Sequence, residues 1–291
     1  GEGRTLAMTK ETKTGLLLAT PATFYVLLLI AAPVAMTIAY SFWTQDFVFI
    51  VRDFTWANYK EVFTDPLYST LIIRSVKIAA LVTLLTVLLA YPIAYHIAFN
   101  VKKSKPMWLF MVTIPFWTSY LLRVFSWKLI LAQNGVVNST LLGLGIIDQP
   151  IDSLLYNSGA VVVTLAHAWA PFAILPIFVS LEKIDRSLLE AAKDLGEGPV
   201  RSFLRVTLPL SIPGVIGASM IIFIPTVGDY VTPALVGGSD GAMVANMIQV
   251  QFGKANNWPL GAALALSAVV SVTIAASLTV LGLKLLERSL K

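Results

Sequence analysis

Six long stretches without a charged residue divide the chain, separated by shorter polar segments. They are residues 14–45, 78–101, 106–122, 153–181, 206–228 and 255–283. Each has about 17 residues or more, enough to cross a hydrocarbon core at 1.5 Å per residue when a flanking Lys or Arg snorkels. The strands of a membrane β-barrel would instead alternate over about 10 residues. The pattern therefore predicts an all-α polytopic membrane protein with six transmembrane helices.

The predicted spans cover residues 14–42, 70–99, 107–126, 155–181, 208–230 and 259–283. They form a single transmembrane domain of residues 8–291, and residues 1–7, before Met8, are expected to be a cloning remnant. A further charge-free stretch, residues 129–147, has Gln133, Asn134 and Asn138 near its centre. Since amide side chains are costly in lipid, this stretch predicts a short helix in the membrane interface and not a seventh span.

The basic residues give an independent indication of the orientation. Cytoplasmic loops carry an excess of Lys and Arg, and a seventh span would weaken this bias badly. Six spans predict that both termini are cytoplasmic. This places 14 of the 21 basic residues inside: Arg4, Lys10, Lys13, Lys102, Lys103, Lys105, Lys183, Arg186, Lys193, Arg201, Arg205, Lys284, Arg288 and Lys291.

Composition supports the membrane assignment and limits the chemistry. The chain is 57% apolar and 13% charged, whereas soluble domains have about 45–50% and 25%. The net charge of +5 reflects loops that face anionic lipid, and no nucleic-acid motif accompanies it. The absence of cysteine excludes disulfides and thiolate metal sites.

No enzymatic motif is present in the sequence. There is no GxxxxGK[ST] phosphate loop, so ATP would have to bind to another chain. His96 and His167 lack the HExxH spacing of a zinc site, and Ser219 lacks the second glycine of a nucleophile elbow. We predict no catalytic residue, no metal site and no cofactor in this chain.

The longest predicted cytoplasmic loop, residues 182–207, holds ten of the 37 charged residues, 21 basic and 16 acidic. Ser187 and Glu190 have the spacing of a capping box, and Gly196 is placed to end the helix in a left-handed cap. A helix of about nine residues is marginal alone. Its apolar side chains need to pack either in a groove on a partner protein or on the helix bundle itself, and the pattern leaves both possibilities open.

The spacing within this loop resembles the EAA signature of ATP-binding-cassette (ABC) importer permeases. Its elements are Glu190, Ala191, Ala192, Gly196, then Leu208 and Pro209, with Val206 where isoleucine is commoner. The resemblance implies the type I ABC importer permease fold and makes the short helix a coupling helix, which docks on a cytoplasmic ATPase subunit. It also implies that Glu190 is a polar contact or helix-capping group and that Gly196 forms the turn.

Further segments resemble the first permease subunit of spermidine/putrescine transporters. They are residues 54–59, 115–123, 134–138, 228–233 and 257–259. The resemblance implies a bacterial inner-membrane location, polyamine import by alternating access, and several partners. These are a second homologous permease subunit, two ATPase subunits that bind ATP and Mg, and an extracytoplasmic substrate-binding protein.

Two alternatives concern the transported solute and the energy source. Relatives of this type also carry opines and other small solutes such as amino-acid derivatives. An ion-coupled secondary transporter would need coupling-ion groups at the midplane and inverted repeats, and the chain offers almost no intramembrane carboxylates and no evident inverted repeat.

Residues near the outer end of the predicted fifth span are candidates for the substrate pathway. Asp229, beside Tyr230 and near Trp169 of the fourth span, could attract an ammonium group and provide an aromatic surface for it. Alternatively, Asp229 pairs with Arg123 and holds the outer gate together. The sequence leaves both roles open.

Overall fold

The computed structural model describes residues 10–290, and residues 1–7, the predicted remnant, lie outside that range. The regular secondary structure of the described chain is helical apart from one antiparallel hairpin, β1 (Thr44–Asp46) and β2 (Phe49–Val51). The α-helices are α1 (Lys10–Ser41), α2 (Ala57–Thr64), α3 (Pro66–Tyr95), α4 (Lys105–Thr113), α5 (Tyr120–Leu131), α6 (Val136–Gly143), α7 (Ser158–Glu182), α8 (Arg186–Asp194), α9 (Pro199–Ser202), α10 (Leu208–Val227), α11 (Val244–Phe252) and α12 (Trp258–Leu290).

Five helical stretches are long and apolar enough to cross a membrane. They are Leu18–Ser41, Pro66–Asn100, Ser158–Glu182, Pro199–Val227 and Trp258–Ser289. A sixth candidate is a pair, Lys105–Trp117 and Tyr120–Gly143, bent by 84°. The six predicted spans therefore correspond to five continuous helices and one bent pair, and the predicted third span over residues 107–126 falls on that pair.

The break in the third span has a local cause. After α4 the chain forms a 3₁₀ turn, Ile114–Trp117, which contains Pro115, and then Thr118 and Ser119 adopt extended backbone angles. The Thr118 hydroxyl donates to the carbonyl of Pro115 at 2.7 Å. Proline lacks the N–H of a helical hydrogen bond, and two extended residues prevent the helix from continuing in its first direction.

Two π-turns extend neighbouring helices. One, His96–Asn100, continues α3, and the other, Phe203–Thr207, joins α9 to α10. The helical stretch that contains the predicted fifth span therefore runs from Pro199 to Val227. Asp229 and Tyr230, which the sequence placed within this span, lie beyond its helical end.

The core of the bundle lies between α3, α7 and α10. Its fully buried side chains include Val82, Ile97, Leu165, Ile177 and Ile222. A second cluster packs α12 against α2, α3, α10 and α11. In contrast, none of the apolar window of α1 is buried within this chain, so α1 lies on the periphery beside α12.

Candidate functional site

The predicted coupling helix is α8, with Arg186 as its first residue. Its N-cap is Asp185, whose carboxylate accepts a hydrogen bond from the backbone N–H of Ser187 at 3.0 Å. This hydrogen bond lowers the pKa of Asp185 because it stabilises the ionised form. The predicted Ser187–Glu190 capping box is wrong, since Ser187 is already inside the helix and its backbone N–H donates to Asp185, two residues earlier.

The other end of α8 is closed as the sequence predicts. Gly196 has a φ of +79°. The N–H of Gly196 donates to the carbonyl of Lys193 at 2.9 Å, and the N–H of Glu197 donates to the carbonyl of Ala192 at 3.0 Å. These two hydrogen bonds form a Schellman motif around a left-handed residue. The predicted left-handed cap at Gly196 is confirmed.

α8 has one face on the bundle and one face outside it. Ala192 is buried, whereas Leu188 and Leu195 are 46% and 84% exposed, and Glu190 and Ala191 are also exposed. Packing on the bundle therefore holds for one face of the helix, and docking of the other face on a partner stays a prediction. The face against the bundle is satisfied within this chain, and the outer face presents two large leucines to its surroundings.

The segment after α8 is tied to the membrane helices. Arg205 donates to the carboxylate of Glu197 at 2.6 Å, and the Phe203 ring packs edge-on against Tyr91 and Tyr95 of α3, with centroids 5.7 and 6.1 Å apart. The hydroxyl of Tyr91 hydrogen-bonds to that of Ser211 on α10 at 2.7 Å. The segment after α8 therefore contacts both α3 and α10.

Leu208 and Pro209, the end of the EAA-like spacing, form the first turn of α10. Pro209 is buried and Leu208 is half-buried. Proline is favoured in the first turn of a helix, where the N–H groups have no intrahelical acceptor. Here the π-turn Phe203–Thr207 runs directly into α10, so Pro209 lies within a continuous helical stretch. Pro209 thus packs within the bundle and Leu208 keeps part of its surface exposed, and the part of these two residues in coupling stays a prediction.

Asp229 is engaged by its own chain. One carboxylate oxygen accepts from the hydroxyl of Tyr120 at 2.5 Å. The other accepts from the backbone N–H groups of Val231 at 2.9 Å and Thr232 at 3.4 Å. Asp229 thus caps the turn that follows α10 and joins it to α5.

Arg123 does not pair with Asp229. Among residues 10–290 the ion pairs within 4.0 Å are Lys105–Glu182 and Arg205–Glu197. The guanidinium of Arg123 instead lies 5.9 Å from the ring centroid of Tyr120 and donates to the carbonyl of Ala168 at 3.1 Å. The alternative of a direct Asp229–Arg123 pair is therefore wrong, because the Tyr120 side chain contacts both groups.

In the residues that the structure describes, the side chains of Tyr230 and Trp169 make no hydrogen bond to this carboxylate. Tyr230 is exposed, and its carbonyl accepts from the side chain of Asn246 at 2.8 Å. The Trp169 ring packs against Phe172 with centroids 5.4 Å apart. In the described part of the chain, neither a ring contact nor a hydrogen bond joins Trp169 to Asp229 or Tyr230, and the buried indole N–H of Trp169 has no acceptor.

The structure adds a cavity of about 350 Å³ between α5 and α7. Sequence reasoning missed it because its two walls are about 40 residues apart in the chain. His167 packs against Trp127 there, with ring centroids 5.6 Å apart. Within residues 10–290 no group of three or more His, Asp or Glu side chains could hold a metal ion. The cavity is lined by Thr118, Leu122, Arg123, Ser126, Trp127, Ile130 and His167.

The family described as "Binding-protein-dependent transport system inner membrane component" matches residues 56–291. The chain belongs to this family. It is 35% identical over 247 residues to the spermidine/putrescine transport system permease protein PotB of Escherichia coli K12, covering 84% of this chain and 89% of PotB. It is 33% identical over 269 residues to PotB of Haemophilus influenzae, covering 92% of each.

Solved structures show the same fold. A bacterial ABC transporter involved in the import of the acidic polysaccharide alginate aligns with a TM-score of 0.67 at 18% identity, covering 96% of this chain and 98% of that one. This family of ABC importer permeases accounts for the helical bundle and the apolar spans. The chain is thus a multi-pass inner-membrane permease of an ABC importer.

Proposed function

We propose that the chain forms half of the translocation pathway of an ATP-driven polyamine importer. The observation that carries the proposal is the 33–35% identity, over nearly the full length of both proteins, to permeases named for spermidine and putrescine transport. The alginate transporter shares only 18% identity, so its likeness supports the fold and not its solute. A polyamine carries several ammonium groups, which carboxylate and aromatic side chains can attract.

The proposed assembly contains a second homologous permease subunit, two cytoplasmic ATPase subunits that bind ATP and Mg, and an extracytoplasmic binding protein. The family description itself refers to a binding protein, and a related alginate transporter has been solved with its periplasmic protein. With the bent pair counted as one span, both termini lie on the same side of the membrane. We propose that this side is the cytoplasm and that residues 182–207 face the ATPases there.

In the proposed coupling, the outer face of α8 docks on an ATPase subunit. Glu190 supplies a polar contact, and the exposed Leu188 and Leu195 supply apolar area. ATP binding closes the ATPase pair and moves α8, and the contacts of Glu197 with Arg205 and of Phe203 with α3 carry that movement into the bundle. The translocation cavity of the assembled transporter then opens outward to receive the substrate, and ATP hydrolysis returns it to the inward-facing state.

In the proposed pathway, Asp229, Tyr230 and Trp169 contact the substrate during transfer. In the conformation described here the Asp229 carboxylate bonds to Tyr120. We therefore propose that opening the outer side exchanges this hydroxyl for a substrate ammonium group. A charged group in a membrane protein is retained where it is paired or functional, and this exchange keeps the carboxylate paired at each stage.

The substrate class is tested by ligand binding to the partner binding protein and by uptake into proteoliposomes that contain the whole transporter. We expect ATP-dependent uptake of labelled putrescine or spermidine, competed by the unlabelled polyamines. Binding of an anionic solute, such as an opine, with no binding of either polyamine would reject the polyamine assignment while leaving the permease role intact.

The coupling role is tested by Glu190→Lys in the assembled transporter. We expect the ATPase activity to lose its stimulation by the loaded binding protein, because the substitution reverses the charge on the exposed face of α8. Asp148→Lys is the matched control, since it makes the same charge change at an exposed position in the predicted outer connection between α6 and α7. Stimulation that is equal in the two variants would refute the docking role of Glu190.

A further inference from the structure

The hairpin that follows α1 ends in an unusual turn. Thr44 pairs with Val51, Gln45 with Ile50 and Asp46 with Phe49, which leaves Phe47 and Val48 as a two-residue connection. Such turns favour Gly, Asn or Asp because they require positive φ angles. Phe47 nevertheless has a φ of +53°, a conformation that is costly for a bulky side chain.

The apolar tip of the hairpin is exposed within this chain. Phe47, Val48 and Phe49 are 89%, 57% and 73% exposed, and Asp46 is the only charged residue between Thr44 and Val51. In water, a small polar residue at position 47 would adopt the positive φ of the turn at a lower cost than Phe47. The sequence instead retains three consecutive large apolar side chains, so the tip fits an apolar environment.

The turn is held in place by its surroundings. The side-chain amide of Gln45 donates to the carbonyl of Phe47 at 3.0 Å. At the base, the amide of Asn58 donates to the carbonyls of Ser41 at 2.9 Å and Trp43 at 2.8 Å. The hairpin is therefore fixed to the end of α1, and its tip has a defined position relative to that helix.

The continuity with α1 indicates what the tip meets. β1 begins three residues after α1 ends at Ser41, and the apolar window of α1 is unburied by this chain, which suits a lipid-facing helix. Arg52 lies over the Trp43 ring, 5.4 Å from its centroid, and the Phe42 ring stacks on Phe54 at 4.9 Å. Tryptophan belongs to the interfacial belt of membrane proteins, and an arginine beside it can reach lipid phosphates.

We propose that the tip Phe47–Phe49 inserts into the headgroup–acyl boundary of the outer leaflet and anchors the outer end of α1 to a phospholipid surface. Burial of two aromatic rings and a valine there removes apolar area from water, as in other interfacial segments. It also offsets the cost of the positive φ at Phe47. This inference concerns a lipid contact and does not depend on which solute the transporter carries.

The absence of cysteine in the chain permits a direct test. Phe47→Cys is labelled with a nitroxide, and the whole transporter is placed in nanodiscs of phosphatidylethanolamine and phosphatidylglycerol. Electron paramagnetic resonance then compares collisions with O₂, which concentrates in lipid, and with a water-soluble nickel chelate. We expect O₂ to dominate at position 47 and the nickel chelate to dominate at the control, Asp148→Cys. The transporter with the unsubstituted chain gives the background from the partner subunits.

Two results would overturn the proposal. Nickel access at position 47 equal to that of the control would place the tip in water. A label that is immobilised and inaccessible to both reagents would place it against a protein, either the second permease subunit or the binding protein.

Val48→Cys provides a second probe that retains both rings. We expect its label to lie in lipid as well, and to move toward water when Phe47→Gly is added. Glycine suits the turn, so this change keeps the hairpin folded while removing one ring. An unchanged depth in the double variant would contradict an anchoring role of the Phe47 ring.

Discussion

Arg205 donates a hydrogen bond to Glu197 at 2.6 Å and thereby joins the end of α8 to the π-turn that leads into α10. The arginine side chain is mostly exposed and the glutamate partly buried. An exposed ion pair contributes only about 0.2–1 kcal/mol to stability. Its contribution to stability is therefore small, and any larger effect would have to come from the link that it makes between the segment after α8 and the π-turn.

For Arg205→Gln we expect a loss of at most about 1 kcal/mol in the free energy of unfolding, together with weaker stimulation of ATPase activity by the loaded binding protein. Thermal unfolding and ATPase assays of the reconstituted transporter measure the two effects. Arg201→Gln removes the same charge from an exposed residue that has no ion pair in the described chain. Equal losses of stimulation in both variants would count against a specific role of the ion pair.

Gly196→Ala should strain the end of α8. An added Cβ would meet open space, so the cost comes from the backbone φ of +79° alone and amounts to about 1–2 kcal/mol. We expect faster amide hydrogen exchange in α8 and weaker ATPase stimulation. Gly198→Ala is the control, because Gly198 also faces open space but has a φ of −69°. Exchange in α8 that is unchanged by Gly196→Ala would show that the left-handed cap does not maintain this helix.

Gly214→Ala should destabilise the bundle at the contact of α7 with α10. The new Cβ would lie 2.7 Å from the carbonyl oxygen of Pro176 and closer still to Cβ of Ser180. Overpacking of this kind costs about 1–3 kcal/mol, more than the gain of up to about 1 kcal/mol in helix propensity. We expect a lower midpoint of thermal unfolding in detergent.

Gly217→Ala is the matched substitution on the same helix. Its Cβ would lie 4.0 Å from the nearest atom, Cβ of Pro176, so only the gain in helix propensity remains. We expect an unchanged or slightly raised unfolding midpoint. If the two alanine variants unfolded at the same temperature, close packing at Gly214 would not be limiting.

Tyr120→Phe removes the hydroxyl that bonds to Asp229. The partly buried carboxylate loses a hydrogen bond, and we expect a loss of about 1–3 kcal/mol in the free energy of unfolding. If the hydroxyl also holds the outer side closed, the uptake rate should change by more than stability alone explains. Tyr156→Phe is the control, because the hydroxyl of this exposed tyrosine makes no hydrogen bond in the described chain. Equal unfolding midpoints for the two variants would contradict the structural role of the Tyr120 hydroxyl.

The sequence predicts the number of apolar segments and the position of α8, because both follow from charge and turn chemistry that are local in the chain. Hydropathy does not predict the backbone path within a segment. Pro92 and Pro171 lie within continuous helices, whereas Pro115 precedes a break. The difference lies in the extended Thr118 and Ser119, and composition does not indicate it.

Contacts between side chains are harder to predict from the sequence than the apolar segments are. The choice of Tyr120 over Arg123 as the neighbour of Asp229 depends on side-chain positions more than 100 residues apart. The prediction of the N-cap of α8 was wrong by two residues, because Asp185 and Ser187 are both favourable N-cap residues and lie close together in the chain. The cavity beside His167 also depends on the packing of α5 against α7, which no local pattern records.

The 84° bend between Lys105–Trp117 and Tyr120–Gly143 determines which parts of the bundle surface can touch annular lipid. Backbone N–H and C=O groups that lack helical partners are tolerated at membrane depth only where protein or water surrounds them. For a pair that crosses the membrane as one span, the break at Thr118 and Ser119 therefore favours contact with protein or water over hydrocarbon. α1 differs, because its apolar window is continuous, helical and unburied by this chain.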